Sequence, residues 1–250
     1  MKKTRLKSDS ELKDKIVVPL DVNDIDEAKE IINELKDYVG IFKVNSIYIH
    51  YGRDIVEEIQ KAGCKVFLDL KFHDIPNTVA NYAREAVRLG AYIFNVHCSG
   101  GIEMIKSATD AAKDESEKLG FEKPIILGVT LLTSIDQNML NNDLRVNGPA
   151  EDYVTHLAAL AKKAGLDGVG ASPKEIEAIR KACGKDFIIL TPGVRPLWSE
   201  KGDQKRIDTP KNAIERGADY LVIGRPILEA QKYGMTRQEA ARKIIEEIGQ

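Results

Sequence analysis

Eight short apolar runs, each followed by a segment of helical pattern, constrain the fold of this chain more than any other feature. They are IVVPL (16–20), IFKVN (41–45), KVFLDL (65–70), YIFNV (92–96), IILGVT (125–130), DGVGA (167–171), FIILT (187–191) and YLVIG (220–224). Most are continuously apolar rather than alternating, as parallel strands covered on both faces are. The segments between them carry helical marks. DEAKEIINELKDYVG puts Ala28, Ile31, Ile32 and Leu35 on one face, with acidic residues in the first turn and Gly40 past the end. SPKEIEAIRKACG opens with Ser172 as N-cap, Pro173 next and Glu175 placed to complete a capping box, and Thr209 and Pro210 repeat the opening in TPKNAIERG. Gly63, Gly90, Gly165 and Gly217 each precede a run by a few residues, where a left-handed glycine ends a helix.

This repeat within 250 residues predicts one α/β domain over residues 15–250, a (β/α)8 barrel. The alternative, an open doubly wound sheet, usually carries a GxGxxG or GxxxxGK[ST] fingerprint, and neither is present. Residues 1–14 are expected to be a surface extension. Composition narrows the partner. Lys and Arg number 37 against 39 Asp and Glu, a net charge of -2, so nucleic acid and acidic membranes find no global attraction and a small molecule is the expected partner. The three cysteines, Cys64, Cys98 and Cys183, lie far apart without a CxxC, which fits neither a disulfide framework nor a zinc site but does fit a reducing cytoplasm. No apolar stretch follows the basic N-terminus and none is long enough to span a bilayer, so a soluble, unexported protein is expected.

Against this apolar background the stretch FLDLKFHDIPNTV (67–79) stands out, with Asp69, Lys71, His73 and Asp74 in and just beyond a buried strand. Barrel enzymes take their reactive groups from the C-terminal ends of strands. Asp21 closes the first run, Lys43 lies on the second, and Asp69 and Lys71 end the third, two apart and so on one side of it. Leu68 and Leu70 then face the helical layer. A strand inside a barrel has no open face to solvate such charges, so the economical arrangement is an alternating row of Lys43, Asp69, Lys71 and Asp74. His73 is expected to be structural. A second constellation follows the last two runs: TPGVRPLWSEKGDQKR supplies Gly193, Arg195 and Gln204, and GRP supplies Gly224 and Arg225. Loops after strands seven and eight are the recurrent phosphate site of this fold.

With PLDV at the first strand, KVN at the second, LTS after the fifth, TPGVRP and DQKR after the seventh and VIGRPI at the eighth, the chain closely resembles the orotidine 5'-phosphate decarboxylase family from about Asp21 to Ile227. The Asp-x-Lys-x-x-Asp array is shared with a wider group of barrels; Lys43 and the continuation Ile75-Pro76-Asn77-Thr78 are more specific. The resemblance implies decarboxylation of orotidine 5'-monophosphate to UMP in pyrimidine synthesis, without metal or organic cofactor. It implies Lys71 as the acid that protonates C6, Asp69 as the carboxylate beside the substrate carboxylate, Lys43 as the bridge to ribose and aspartates, and Asp21 as a ribose ligand. Thr133, or Ser134 beside it, corresponds to the pyrimidine contact. Gln204, Gly224 and Arg225, with Arg195 and Pro192 beside them, correspond to the phosphate grip. Asp74 and Thr78 match positions supplied by the neighbouring subunit of a homodimer.

Three rival readings share parts of this pattern. A magnesium-dependent sugar-phosphate decarboxylase or aldolase has the same array but an acidic residue near strand two, where this chain has Lys43. A non-catalytic phosphate-binding module needs Arg225 but no buried charge. An RNA-binding barrel needs a basic stripe interleaved with aromatics, which is absent.

Overall fold

A computed structural model of the chain describes residues 9–199 and 208–250. Among these, eight strands pair in parallel, each with the next in sequence and the last with the first, as a closed barrel. They are β1 (Ile16–Pro19), β2 (Ile41–Val44), β3 (Lys65–Phe72), β4 (Ile93–His97), β5 (Ile125–Val129), β6 (Gly168–Gly170), β7 (Ile188–Thr191) and β8 (Tyr220–Val222). Each expected run overlaps one of them, with β3 continuing past its run to Phe72 and β4 to His97. Helices follow each strand, among them Ile25–Leu35 after β1, Arg53–Lys61 after β2, Pro76–Arg88 after β3 and Gly101–Leu119 after β4.

Alternation along the strands makes two cores. Val17, Ile41, Phe67, Ile93, Leu127 and Leu190 point inward and fill the barrel, while Val18, Phe42, Leu68, Phe94, Ile126 and Ile189 point outward to the helices. Leu70 also packs on the outer core, as expected from its spacing. At the N-terminal end, the hydroxyls of Tyr92 and Tyr220 lie 3.2 Å apart, and Lys65 sits 4.7 Å from the Tyr92 ring while pairing with Asp14 at 3.0 Å. These polar contacts close the bottom of the barrel.

The helix signals hold with two corrections. Helix Ile25–Leu35 buries Ala28, Ile31, Ile32 and Leu35, the four residues that the periodicity selects, and Asp24 caps it by accepting from the backbone N–H groups of Asp26 and Glu27. Gly63, Gly90, Gly165 and Gly217 all take positive φ, from 69° to 110°. Thr209 caps Pro210–Glu215 through the Asn212 N–H. Ser172, however, caps only a 3-10 turn, Pro173–Glu175, through the Lys174 N–H; Glu175 is buried, and the α-helix starts at Ile176. Nor is the whole of 1–14 a surface extension. Residues Asp9–Lys13 form a short helix, Leu12 is buried in the outer core, and the Lys13 carbonyl accepts from the Gly40 N–H. An apolar leucine one turn ahead of β1 is drawn onto the C-terminal helix Arg237–Gly249 by the burial it gains there.

One glycine is dictated by close approach. A Cβ on Gly168 would lie 2.2 Å from the Ile188 carbonyl oxygen and 2.6 Å from its Cβ, whereas one on Gly170 meets nothing closer than 4.0 Å. Gly168→Ala is therefore expected to destabilise the barrel by about 1–3 kcal/mol or more through backbone displacement, lowering the thermal midpoint by about 2–4 °C per kcal/mol. Gly170→Ala serves as the control. Equal midpoints for the two variants would contradict the packing account.

Candidate active site

The barrel interior opens at its C-terminal end into a cavity of about 220 Å³ lined by Lys43, Asp69, Lys71, Asn95, Thr133 and Pro192, with Phe67, Leu127 and Leu190 among the apolar residues at its base. Asp69 stands at its centre. Its Oδ2 lies 2.9 Å from the Lys43 ammonium, and its Oδ1 lies 2.7 Å from the Lys71 ammonium. Lys43 and Asp69 side chains are each 9% exposed and Lys71 36%, so the row runs from the barrel interior to an ammonium that faces the cavity. Burial alone would raise the pKa of Asp69. Lys43 and then Lys71, together with hydrogen bonds from Lys71 and Asn95, outweigh it and hold the carboxyl below the ordinary aspartate value. Asp69 is thus held between two ammonium groups, of which Lys43 also lies within reach of Asp21.

The backbone is unusual where the row meets solvent. Pairings Leu68↔Phe94 and Phe72↔Val96 are four residues apart on β3 but two on β4, so β3 carries a bulge. Lys71 lies within it at φ 50°, one of two non-glycine residues at positive φ among those described. That conformation costs about 1–2 kcal/mol. Its N–H, displaced from the ladder, donates to Asn95 Oδ1 at 2.8 Å, and Asn95 Nδ2 donates to Asp69 Oδ1 at 2.7 Å. Asp69 and Lys71 thus meet as expected, but through a bulge rather than through plain strand alternation.

Other expected residues fall around this centre. Asp21 Oδ1 is 3.9 Å from Lys43 at the open end of β1. Thr133 lines the cavity, whereas Ser134 is exposed and does not. Asp74 does not extend the charged row within this chain. It is exposed, and its carboxylate accepts from the Ile75 N–H at 2.6 Å, because the chain has already turned away from the barrel by that point. Thr78 lies half-buried in the first turn of Pro76–Arg88. His73 stacks at 5.1 Å on His97 at the end of β4. Burial, then His73 and Lys71, depress the His97 pKa against the pull of Asp69.

The second constellation forms on the adjacent strands β7 and β8, which pair at Leu190↔Tyr220 and Thr191↔Leu221. Pro192 and Gly193 leave β7, the latter at φ 77°, and buried Arg195 donates to the Val194 carbonyl while its own N–H donates to Asp208. Gly224 ends the opposite loop; a Cβ there would come within 2.9 Å of Pro19, and Arg225 follows, exposed, at the start of the four-residue helix Arg225–Leu228. Gln204 lies outside the described residues. Among those described, no cluster of three or more His, Cys, Asp or Glu side chains could hold a metal ion, and no helix is long and apolar enough to cross a membrane.

Asn95 and His97 escaped the sequence reading. Asn95 sits at an inward position of an otherwise apolar run, YIFNV, and a polar side chain there carries the same signal that singled out Asp69.

Comparison with known proteins agrees with this geometry. Residues 14–244 match the model of the orotidine 5'-phosphate decarboxylase / HUMPS family. The chain is 48% identical over 237 residues to the orotidine 5'-phosphate decarboxylase of Syntrophomonas wolfei, covering 94% of this chain and 98% of that one. It is 47% identical over 237 residues to that of Moorella thermoacetica, covering 94% and 92%. A crystal structure of orotidine 5'-phosphate decarboxylase from Lactobacillus acidophilus superposes with a TM-score of 0.81 at 36% identity, over 93% of this chain and 98% of that one. The chain belongs to the orotidine 5'-phosphate decarboxylase / HUMPS family.

Proposed function

We propose that this chain converts orotidine 5'-monophosphate to UMP and carbon dioxide, a step of pyrimidine synthesis, with no metal or organic cofactor and with Lys71 as the acid. The observation that carries this reading is the Lys43, Asp69, Lys71 row at the cavity, in a chain whose relatives bear the decarboxylase name. Breaking the bond from C6 to the carboxylate leaves an electron pair in an sp2 orbital that the pyrimidine ring does not delocalise. A fixed ammonium aimed at C6 stabilises that charge as it develops and then delivers its proton, forming the C6–H bond. Lys71, left neutral, is reprotonated from water. Asp69 disfavours the bound carboxylate more than the departing neutral carbon dioxide, a smaller contribution than stabilisation of the developing carbanion.

The remaining residues take binding roles. Arg225 and Arg195, with Gln204 and the backbone at Gly224, hold the phosphate; Pro192 flanks it, Asp21 and Lys43 hold the ribose, and Thr133 contacts the pyrimidine. Phosphate binding far from C6 supplies energy that orders the loops and the row. Lys43 favours this chemistry over a magnesium-dependent aldolase. Its ammonium lies 2.9 Å from Asp69, on the strand where that rival group carries an acidic residue. Asp74 and Thr78 complete the site of a second subunit in a homodimer. Asp74 engages only its own turn, and beside it Ile75 is 67% exposed, an apolar side chain that a partner would cover. The free, buried thiols of Cys64, Cys98 and Cys183 suit a cytoplasmic enzyme.

Lys71→Ala is expected to lower kcat by at least about 1,000-fold while UMP affinity, measured by calorimetry, stays within the range of the unmodified protein. Near-normal turnover would remove Lys71 from the proton-donor role. Sharing between subunits is tested by complementation. Lys71→Ala and Asp74→Ala proteins, each nearly inactive, are allowed to exchange subunits; random mixing makes about half the dimers mixed, and one of the two sites in each is intact, so roughly a quarter of full activity returns. Activity that stays at the sum of the two variants, with exchange verified by mass, would place Asp74 in its own chain's site.

A further inference from the structure

We propose that Asn95 is a positioning residue that sets the reactive geometry of Lys71 by tying its backbone to the Asp69 carboxylate. The proposal rests on the decarboxylase reading. One amide makes both contacts: Oδ1 accepts from the Lys71 N–H at 2.8 Å, and Nδ2 donates to Asp69 Oδ1 at 2.7 Å. Only one orientation of the amide serves, because a backbone N–H only donates and a carboxylate only accepts. The same Asp69 oxygen takes the Lys71 ammonium at 2.7 Å. The result is a closed loop of hydrogen bonds in which both ends of Lys71, its main-chain nitrogen and its Nζ, are pinned through Asn95 and Asp69.

Three observations make the loop a device rather than an ordinary satisfied amide. Lys71 holds a left-handed φ of 50° inside a bulge, where the strand ladder no longer fixes it. Asn95 is 5% exposed, so water does not readily take its place. It projects inward from β4 between Phe94 and Val96, which face the opposite core, and lines the cavity beside Lys71. Without the amide, the Lys71 backbone is free to leave its conformation and Asp69 to rotate, and both displace the ammonium. A displacement of about 1 Å at a reacting group costs on the order of 100-fold in rate.

The test compares Asn95→Ala with Asn95→Asp in the full chain. Asn95→Ala is expected to lower kcat about 10- to 100-fold, with KM and UMP affinity little changed. Asn95→Asp keeps an acceptor for the Lys71 N–H but, when ionised, sets a second negative charge against Asp69. Protonated, the carboxyl again accepts from Lys71 and donates to Asp69, as the amide does. Its kcat relative to the unmodified protein at the same pH should therefore rise as pH falls, while the Asn95→Ala ratio stays flat. The charged and titratable groups around the position are Asp69 and Lys71 from β3, Lys43 from β2 and His97 on β4, with apolar Leu127 and Val129 from β5; the Asn95→Ala profile reports their behaviour without an added carboxylate. Full kcat in Asn95→Ala, or an Asn95→Asp ratio that follows Asn95→Ala at every pH, overturns the proposal. If Asn95→Ala fails to fold, the pH response of Asn95→Asp decides alone. A silent unmodified protein overturns the decarboxylase reading and this role with it, a result distinct from an active protein indifferent to Asn95.

Discussion

A carboxylate buried inside a closed barrel cannot remain ionised by itself. Removing Asp69 from water costs several kcal/mol, and the side chain is only 9% exposed. Its partners answer that cost. Lys43 on β2 and Lys71 at the end of β3 bring opposite charge within 2.9 Å and 2.7 Å, and Asn95 adds a neutral donor. Of the two ammonium groups, that of Lys71 is the more exposed and faces the cavity. The arrangement that keeps Asp69 ionised is also the one that, in the proposed reaction, aims an ammonium at the charge developing on C6.

The barrel separates the groups that maintain it from those that react. Inward-facing Val17, Ile41, Phe67, Ile93, Leu127 and Leu190 fill the interior below the charged row. The Tyr92 and Tyr220 hydroxyls and the Lys65–Asp14 pair close the N-terminal end. Every charge of the proposed chemistry that is described lies at the opposite end, where strands pass into loops. Strain is placed there too, in the bulge at Lys71, where a packed interior below holds the strand ends.

The periodic part of this architecture was legible in the residues. Apolar runs located all eight strands, and glycine exits located the ends of the helices before four of them, because parallel strands and left-handed caps have strict local requirements. The buried charges were legible for the same reason, since Asp69 and Lys43 violate an apolar pattern. Other features depend on contacts distant in sequence. The bulge at Lys71 arises from register against β4 and the burial of Leu12 from packing on the last helix, and the Ser172 capping signal does not distinguish the 3-10 turn that forms from an α-helix. Asp74 stands apart from the row of its own chain because its carboxylate accepts from the Ile75 N–H in the turn beyond β3, a local geometry that residue spacing does not reveal. Asn95 is an instructive omission: a single polar residue in a buried strand carries the same signal as a charged one, with less contrast.

The central claim is that the protein's own row of charges, unaided by metal or organic cofactor, is sufficient to remove the carboxylate from C6. Its most direct test follows the ultraviolet absorbance of orotidine 5'-monophosphate after addition of purified protein dialysed against a chelator. The account predicts loss of the substrate absorbance and stoichiometric formation of UMP, undiminished by the chelator. Absorbance that stays constant in the dialysed sample and falls only when a divalent cation is restored would contradict it.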